Sequence, residues 1–324
     1  MPTMPTLQQQ FQFLESRAAH IESRVRMIEH GTIQYPQLVG ISREANPHAD
    51  SILYYSYDGT GEMVDLANRA NDFPNVAVVE NQHSVNIQWK GLAYDWSDRE
   101  IGRAMLVGTN LSDRKVRLAF RIAEEEKERT FLEGDAGYRW DGMINNTNVP
   151  RTLHTTSWET DSDENVFNAV NRLIGGAWSG TNQVHICDTL LLPVDTFVAL
   201  GRPMGNDASR SVMDYIKKYN PYTALTGNEL MIRTLRQLNT AGDSRAGVDT
   251  NNGYPANFDW ASRMATTRAI AYPRNMDVLR YHIPQELQFI EPQRMGMLWK
   301  YHGTMVLGGL EIMLPNAMRY LDGV

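Results

Sequence analysis

Two segments decide the fold: residues 51–57 read SILYYSY, and residues 83–90 read HSVNIQWK. The second segment alternates in the way typical of a β-strand with two different faces. One face carries His83, Val85, Ile87 and Trp89. We predict two long strands joined by a flexible middle, with a turn at residues 58–61 (DGTG). Because a lone two-stranded ribbon is marginal in water, residues 50–93 need a neighbouring surface to lie on.

The segment before the ribbon has the pattern of an arm. Residues 11–30 predict an amphipathic helix that Gly31 ends. Tyr35-Pro36 and Asn46-Pro47 then indicate turns or extended chain. A helix followed by such loose chain needs something else to pack on, so we predict an N-terminal arm over residues 1–49.

Charged helical sequence follows the ribbon. Ser97 and Glu100 have the spacing of a capping box. A longer helix is predicted over residues 111–133, and Gly134 ends it. Its predicted apolar face consists of Val116, Ala119, Phe120, Ala123 and Phe131. Its predicted ion pairs, spaced four residues apart, are Asp113 with Arg117, Arg121 with Glu125, and Arg129 with Glu133.

Residues 156–290 predict a mixed α/β region, and residues 291–324 predict closing strands. In the first we expect a helix capped by Asp161 or Ser162 and stopped by Gly175-Gly176. The other predicted elements are a buried strand at 184–187, helices at 193–201 and 211–219, an exposed loop at 239–257, and strands at 264–272, 298–307 and 310–314.

Bulk properties exclude several classes. The chain has 324 residues, enough for two or three compact regions, and its net charge of −7 does not favour tight nucleic-acid binding. Its one cysteine, Cys187, cannot form an internal disulfide, which fits assembly in a reducing cytoplasm. The first ten residues do not resemble a secretory signal, and no segment approaches the ~20 apolar residues of a membrane helix.

Motifs for chemistry are missing from the sequence. It contains neither a phosphate-binding glycine loop nor a nucleophile elbow, and His-Glu-x-x-His is absent. His185 and Cys187 could form half of a metal site, but no second close pair supports it, so we expect a core strand there. Asp161, Asp163 and Glu164 fit a helix cap better than a calcium loop. We therefore predict no catalytic residue, no metal ligand and no cofactor.

The order of parts resembles the Hong Kong 97-type capsid fold of tailed bacteriophages, which is an α+β fold. Four phrases resemble the end of a phage major capsid family formerly catalogued as a domain of unknown function. These phrases are RAIAYPR at 268–274, LRYHIP at 279–284, GGLEIMLPNA at 308–317 and YLDG at 320–323.

The resemblance implies a division of the chain. Its parts would be an N-terminal arm (1–49), an E-loop (50–93), a P-domain with a long spine helix (94–155), an A-domain (156–290) and closing P-domain strands (291–324). The E-loop would lie over an adjacent subunit, and the arm would reach another one. Candidate interface residues are Phe13 and Ile21 in the arm and Tyr54 and Trp89 in the E-loop.

The implied function is structural. The chain would self-assemble as hexamers and pentamers into an icosahedral head shell, contacting packaged double-stranded DNA weakly and without sequence specificity. Partners would include a portal, a separate scaffolding protein and possible decoration proteins. The scaffolding protein, or an already trimmed chain, is expected because the sequence begins almost directly with its arm. The protein would reside in the virion after assembly in the host cytoplasm.

Two other functions remain open at the level of sequence. The first is an encapsulin-like nanocompartment shell with the same fold, and the second is a hydrolytic enzyme with an α/β core. An enzyme predicts a compact particle with a cleft, so the ribbon and arm argue against it.

Overall fold

The computed structural model describes residues 31–65, 73, 75–101, 112–205, 207–243 and 265–324. The predicted arm helix, with Phe13 and Ile21, lies outside the described residues, as does most of the predicted loop at 239–257. Gln34–Val324 forms one unit.

The described chain contains both helices and strands. The α-helices are α1 (Tyr35–Leu38), α2 (98–101), α3 (Ser112–Glu133), α4 (Asp163–Gly180), α5 (Val194–Ala199), α6 (Val212–Lys218) and α7 (Pro221–Thr226), with 3-10 turns at Ala136–Tyr138, Arg236–Thr240 and Pro315–Ala317. The strands are β1 (Gly40–Ser42), β2 (Ser51–Thr60), β3 (Ala77–Asn86), β4 (Gln88–Ser97), β5 (Gly134–Asp135), β6 (Trp140–Asp141), β7 (Arg151–Leu153), β8 (Thr189–Leu192), β9 (Pro203–Met204), β10 (Asp207–Ser211), β11 (Met231–Thr234), β12 (Gly242–Asp243), β13 (Ala265–Thr266), β14 (Arg268–Tyr272), β15 (Leu279–His282), β16 (Gln285–Phe289), β17 (Gln293–Met295), β18 (Leu298–Leu307), β19 (Leu310–Ile312) and β20 (Arg319–Asp322).

A mixed sheet in the order β11-β8-β14-β20-β7 organises the α/β region. Strand β14 runs antiparallel to both β8 and β20, whereas β11 and β7 are parallel to their neighbours. Every residue of β8 and β14 is buried, as expected for central strands covered on both faces. Helix α4 packs on this sheet with a buried stripe of Val166, Val170, Leu173, Ile174 and Ala177.

Helix α4 begins as predicted but ends later. The Ser162 hydroxyl accepts a hydrogen bond from the Asn165 amide, which confirms the cap. The predicted stop at Gly175-Gly176 is wrong, because the helix continues to Gly180. A Cβ atom on Gly176 would lie 3.6 Å from Arg319 Nε, an ordinary contact distance, and one on Gly175 would meet nothing within 4 Å. Neither glycine is therefore required by close packing. The buried stripe continues to Ala177 and stabilises the helical conformation through the two glycines.

The predicted strand at 184–187 is also wrong. Asn182 and Gln183 adopt positive φ angles of 50° and 67°, and the Trp178 indole donates to the Gln183 carbonyl. This turn delays the strand to Thr189. Cys187 is nevertheless buried, as its apolar flanks indicated.

Helix α3 spans Ser112–Glu133, close to the predicted 111–133, and it ends before Gly134 as predicted. Gly134 has a φ of +72°, and a Cβ there would lie 2.1 Å from the Trp140 carbonyl oxygen, so no other residue fits without a shift. Ala119, Ala123 and Phe131 are buried as expected. Phe120 remains 46% exposed, packed edge-on against Phe289.

The structure confirms some of the polar contacts predicted around helices α2 and α3 and contradicts others. The capping box is confirmed by reciprocal hydrogen bonds between Ser97 and Glu100. The predicted Arg121–Glu125 pair forms at 2.7 Å. The Arg129–Glu133 pair is wrong, because Arg129 turns back and makes two hydrogen bonds to the Glu126 carboxylate, at 2.6 and 2.9 Å.

Strand β18 matches the predicted 298–307 and pairs antiparallel with β4 along its whole length. Strands β16 and β17 pair with its other edge. The chain then turns at Gly308 and Gly309, where Gly309 has a φ of +70°, and continues into β19. The closing strands therefore pair with the strand that leaves the ribbon.

The ribbon consists of β2 and β3, paired antiparallel from Ser51 opposite Asn86 to Thr60 opposite Ala77. The predicted turn at 58–61 is wrong, because residues 58–60 continue this pairing. The predicted single strand over 83–90 is divided at Ile87, whose buried side chain and amide bond to the Asp50 carbonyl mark the break. Beyond it, β4 leaves the ribbon and pairs with β18.

Candidate functional site

The ribbon carries a row of large apolar side chains that are exposed in the single chain. On one face, Leu53, Tyr55 and Tyr57 follow one another with exposed fractions of 51%, 51% and 70%. The strand register places Val78 on the same face, and it is exposed as well. Apart from Val78, the residues of β3 opposite this row are polar, so the four side chains form a narrow apolar stripe. Large exposed apolar side chains grouped in this way are typical of an interaction site in a soluble protein. We call these four residues the outer ribbon face.

The opposite ribbon face turns toward the chain's own body. The Tyr54 ring stacks on His83 with centroids 5.0 Å apart, and the Ile52 side chain packs near Gly308. Burial raises the pKa of the Tyr54 phenol, and the Glu311 carboxylate contributes to the rise. The structure thus places Tyr54, an interface candidate by sequence, on the inward side of the ribbon.

The base of the ribbon is tied to the body by polar contacts. The Trp140 indole donates to the Asn86 carbonyl at 3.0 Å. Lys90 lies 2.5 Å from Glu126 and 3.5 Å from Asp135, which joins β4 to the end of α3. Trp89, the other candidate from this region, lies on β4 beside His48 and is about half exposed. Tyr54 and Trp89 therefore flank the ribbon base, and the outer ribbon face, which the sequence pattern did not reveal, lies on the side of the ribbon opposite Tyr54.

A buried charge cluster locks the α/β sheet. The Asp322 carboxylate accepts two hydrogen bonds from Arg268, at 2.6 and 2.8 Å, and one from Arg151 at 3.1 Å. The side chains of all three residues are completely buried. Arg151 also donates to the Asp243 carbonyl. Since no substrate can reach these groups, the cluster serves structure and not catalysis.

This cluster was missed from the sequence, although a signal was present. Arg268 is the only charged residue of the buried strand β14, and Asp322 lies opposite it on β20. A charged residue in a fully buried strand requires an oppositely charged partner. The pairing could not be derived without the strand register.

A second polar cluster fixes α3. Lys127 is almost fully buried, and its ammonium donates to Glu124 at 2.5 Å and to Glu286 at 2.6 Å. Burial opposes the charge on Lys127, but these hydrogen bonds outweigh it and raise the lysine pKa well above its ordinary value. Burial likewise acts to raise the pKa of Glu286, and Lys127 and Arg43 together lower it.

Replacing Lys127 by Met should lower the free energy of unfolding by about 1 kcal/mol at pH 7, since both carboxylates are partly exposed and solvent screens the pair. Glu286 contributes to the free energy of unfolding above its unfolded-state pKa of about 4.3. This contribution is lost as the pH falls through the lowered pKa of Glu286 in the folded state. Lys127 contributes to the free energy of unfolding below its unfolded-state pKa of about 10.4. This contribution is lost as the pH rises through the raised pKa of Lys127 in the folded state. Urea denaturation at several pH values should thus show the two proteins converging below about pH 4. Exposed Lys218→Met is the control, and an unchanged gap at low pH would contradict the assignment.

The described residues form neither a metal site nor an activated cysteine nucleophile. There, no group of three or more His, Cys, Asp or Glu side chains could hold a metal ion. Burial raises the pKa of the Cys187 thiol, which disfavours the reactive thiolate. Among the described helices, none has the length and apolarity to cross a membrane.

The ribbon, the long helix and the α/β domain together define the Hong Kong 97-type capsid fold. The capsid of Myoviridae phage XM1 is similar over 100% of both chains, with a TM-score of 0.74 and 15% identity. The capsid of the native GTA particle has a TM-score of 0.55 at 12% identity, covering 94% of each chain. A chain of Mycobacterium phage Ogopogo is similar with a TM-score of 0.55 and 10% identity, covering 95% of this chain and 98% of its own. At these identities the likeness establishes the fold.

The major capsid protein family matches residues 62–248 and 255–324. The chain therefore belongs to the major capsid protein family. No curated protein sequence matches it significantly. The protein is a structural virion component that self-assembles into an icosahedral shell, as the sequence resemblance indicated. The predicted α+β capsid fold is confirmed, and neither the encapsulin-like compartment nor the hydrolytic enzyme is favoured.

Proposed function

We propose that the outer ribbon face is the principal contact through which one subunit holds the next in hexamers and pentamers of a phage head. The observation that carries this proposal is the row of Leu53, Tyr55 and Tyr57, half or more exposed on strands that pair only with each other among those described. A face of this composition gains stability when it is covered.

The remaining parts of the chain are assigned from the resemblance to the capsid fold. Residues 1–49 form the arm, 50–93 the E-loop, 94–155 and 291–324 the P-domain, and 156–290 the A-domain. Phe13 and Ile21 contact another subunit through the arm, and Trp89 contributes where the base of the ribbon meets its neighbour, with Tyr54 supporting the ribbon from its inward side. The half-exposed indole of Trp89 supports this role.

The shell encloses double-stranded DNA and contacts it weakly, independently of sequence. The net charge of −7 supports weak contact, because tight phosphate binding requires a basic surface. Assembly takes place in the host cytoplasm with a separate scaffolding protein and a portal, and decoration proteins can bind the finished shell. The protein has no enzymatic activity in this proposal, consistent with a buried charge cluster and a buried thiol.

Expression of the full chain, alone and with its scaffolding protein, tests this function. Gel filtration and negative-stain microscopy should show hexamers, pentamers or closed shells. Native particles should contain nuclease-protected double-stranded DNA. A chain that remains monomeric with the scaffolding protein present would contradict the proposed assembly, and particles that protect proteins in place of DNA would contradict the proposed contents.

A further inference from the structure

A groove of about 590 Å³ lies between helix α4 and strand β7, the last strand of its sheet among those described. Leu153, Leu173 and Leu321 lie along its wall, and of these only Leu153 is partly exposed. Arg172 and Arg319 line the same groove. We call it the α4–β7 groove. It is separate from the ribbon, the buried charge cluster and the Lys127 cluster.

The two arginines of the groove lack carboxylate partners within the described residues. Arg319 donates to the Gly176 carbonyl at 3.0 Å, but its Nε is buried without a hydrogen-bond partner. Burial lowers the pKa of this guanidinium. Arg172 is exposed and makes no hydrogen bond or ion pair with described residues. By contrast, Arg202, on the same domain, bonds to Asp163 at 2.8 Å.

The acidic side chain of the groove does not neutralise these arginines. Asp161 accepts hydrogen bonds from Asn165 and from the Ser162 amide, both at 2.8 Å, and lies 2.9 Å from His154 Nε2. These contacts lower the pKa of Asp161, the Asn165 amide having the largest effect. Asp161 is thus fully engaged by its own neighbours. The groove therefore carries two guanidinium groups that its own carboxylate does not contact.

We propose that the α4–β7 groove binds an extended acidic peptide segment of a partner protein chain, with carboxylates on Arg172 and Arg319. A planar guanidinium offers paired donors that match a carboxylate. The partly exposed Leu153 suits the aliphatic stem of a peptide side chain, for which a phosphate backbone has no counterpart. A duplex also presents its phosphates on a convex surface, which a recessed groove fits poorly.

The proposal rests on the proposed function only because a shell brings partner chains to the groove. Binding can therefore be measured on the unassembled full chain. Fluorescence anisotropy with labelled hexaglutamate is the direct assay. We expect saturable binding that weakens with added salt and falls about tenfold or more in Arg172→Gln and in Arg319→Gln. Arg236→Gln removes the same charge from an exposed site of the same domain and should change the affinity less than twofold.

Three results would overturn the assignment of the ligand. These are no binding of hexaglutamate, equal binding of labelled hexaglutamine, and displacement of hexaglutamate by inorganic phosphate or a short DNA duplex at lower concentrations than unlabelled hexaglutamate requires. Circular dichroism melting of each variant separates lost binding from lost folding. Shell formation by the same preparations is scored independently, so failed assembly and failed peptide binding are distinguishable.

Discussion

Replacing Asp322 by Asn should lower the free energy of unfolding by about 3–5 kcal/mol. The substitution keeps the shape of the side chain but removes the negative charge between Arg268 and Arg151, which are completely buried. Both guanidinium groups would then lose the carboxylate that accepts their hydrogen bonds, and neither can lose its proton to avoid the cost. Urea denaturation of the soluble subunit measures the change, and insoluble expression is the expected result in cells.

Asp277→Asn is the matched control, because it removes an equal charge from an exposed position. Its free energy of unfolding should stay within about 0.5 kcal/mol of the wild type. If Asp322→Asn were as stable as this control, the cluster would not hold the sheet as described. The contact that Arg268 makes with the Ile144 carbonyl extends the expected damage beyond the sheet.

The double variant Tyr55→Asp, Tyr57→Asp should abolish shell formation while leaving the subunit folded. Each tyrosine is at least half exposed in the single chain, so the substitutions disturb little inside it. Covering two aromatic side chains at an interface contributes roughly 3 kcal/mol per subunit, which corresponds to a rise of more than a hundredfold in the concentration needed for assembly. The two added carboxylates would raise it further, since an interface core excludes unpaired charge.

Light scattering during assembly measures the effect, with thermal melting of the unassembled subunit as the check on folding. Tyr55→Phe with Tyr57→Phe is the control at the same positions, because it keeps the aromatic surface and adds no charge. It should assemble like the wild type. Normal shells from the Asp variant would mean that another surface holds neighbouring subunits together.

These two variants separate the functions of buried and exposed residues in the protein. Asp322 stabilises the α/β sheet within one subunit, through contacts that are complete in the single chain. Tyr55 and Tyr57 contribute little to the single chain, and their surface becomes useful when a second subunit covers it. A capsid subunit needs both kinds of residue. It must fold stably by itself, and it must still expose apolar surface that a neighbouring subunit can cover.

Local signals in the sequence were sufficient for several elements. The capping box at Ser97 and Glu100 and the stop of α3 at Gly134 depend on residues within a few positions of one another. The alternation that predicted the ribbon is also local. The family phrases near the C-terminus indicated the capsid class, and the family match confirmed it.

The tertiary structure decided what the local patterns left open. The alternation over 83–90 continues through Ile87, yet the chain exchanges its ribbon partner for β18 at that residue. Helix α4 passes through two glycines because the sheet below stabilises it. Residues near in sequence do not reveal that Asp322 pairs with two buried arginines, nor that Tyr54 lies on the inward face of the ribbon. Periodicity shows that a strand has two faces, but which partner or core covers each face depends on contacts between residues far apart in the chain.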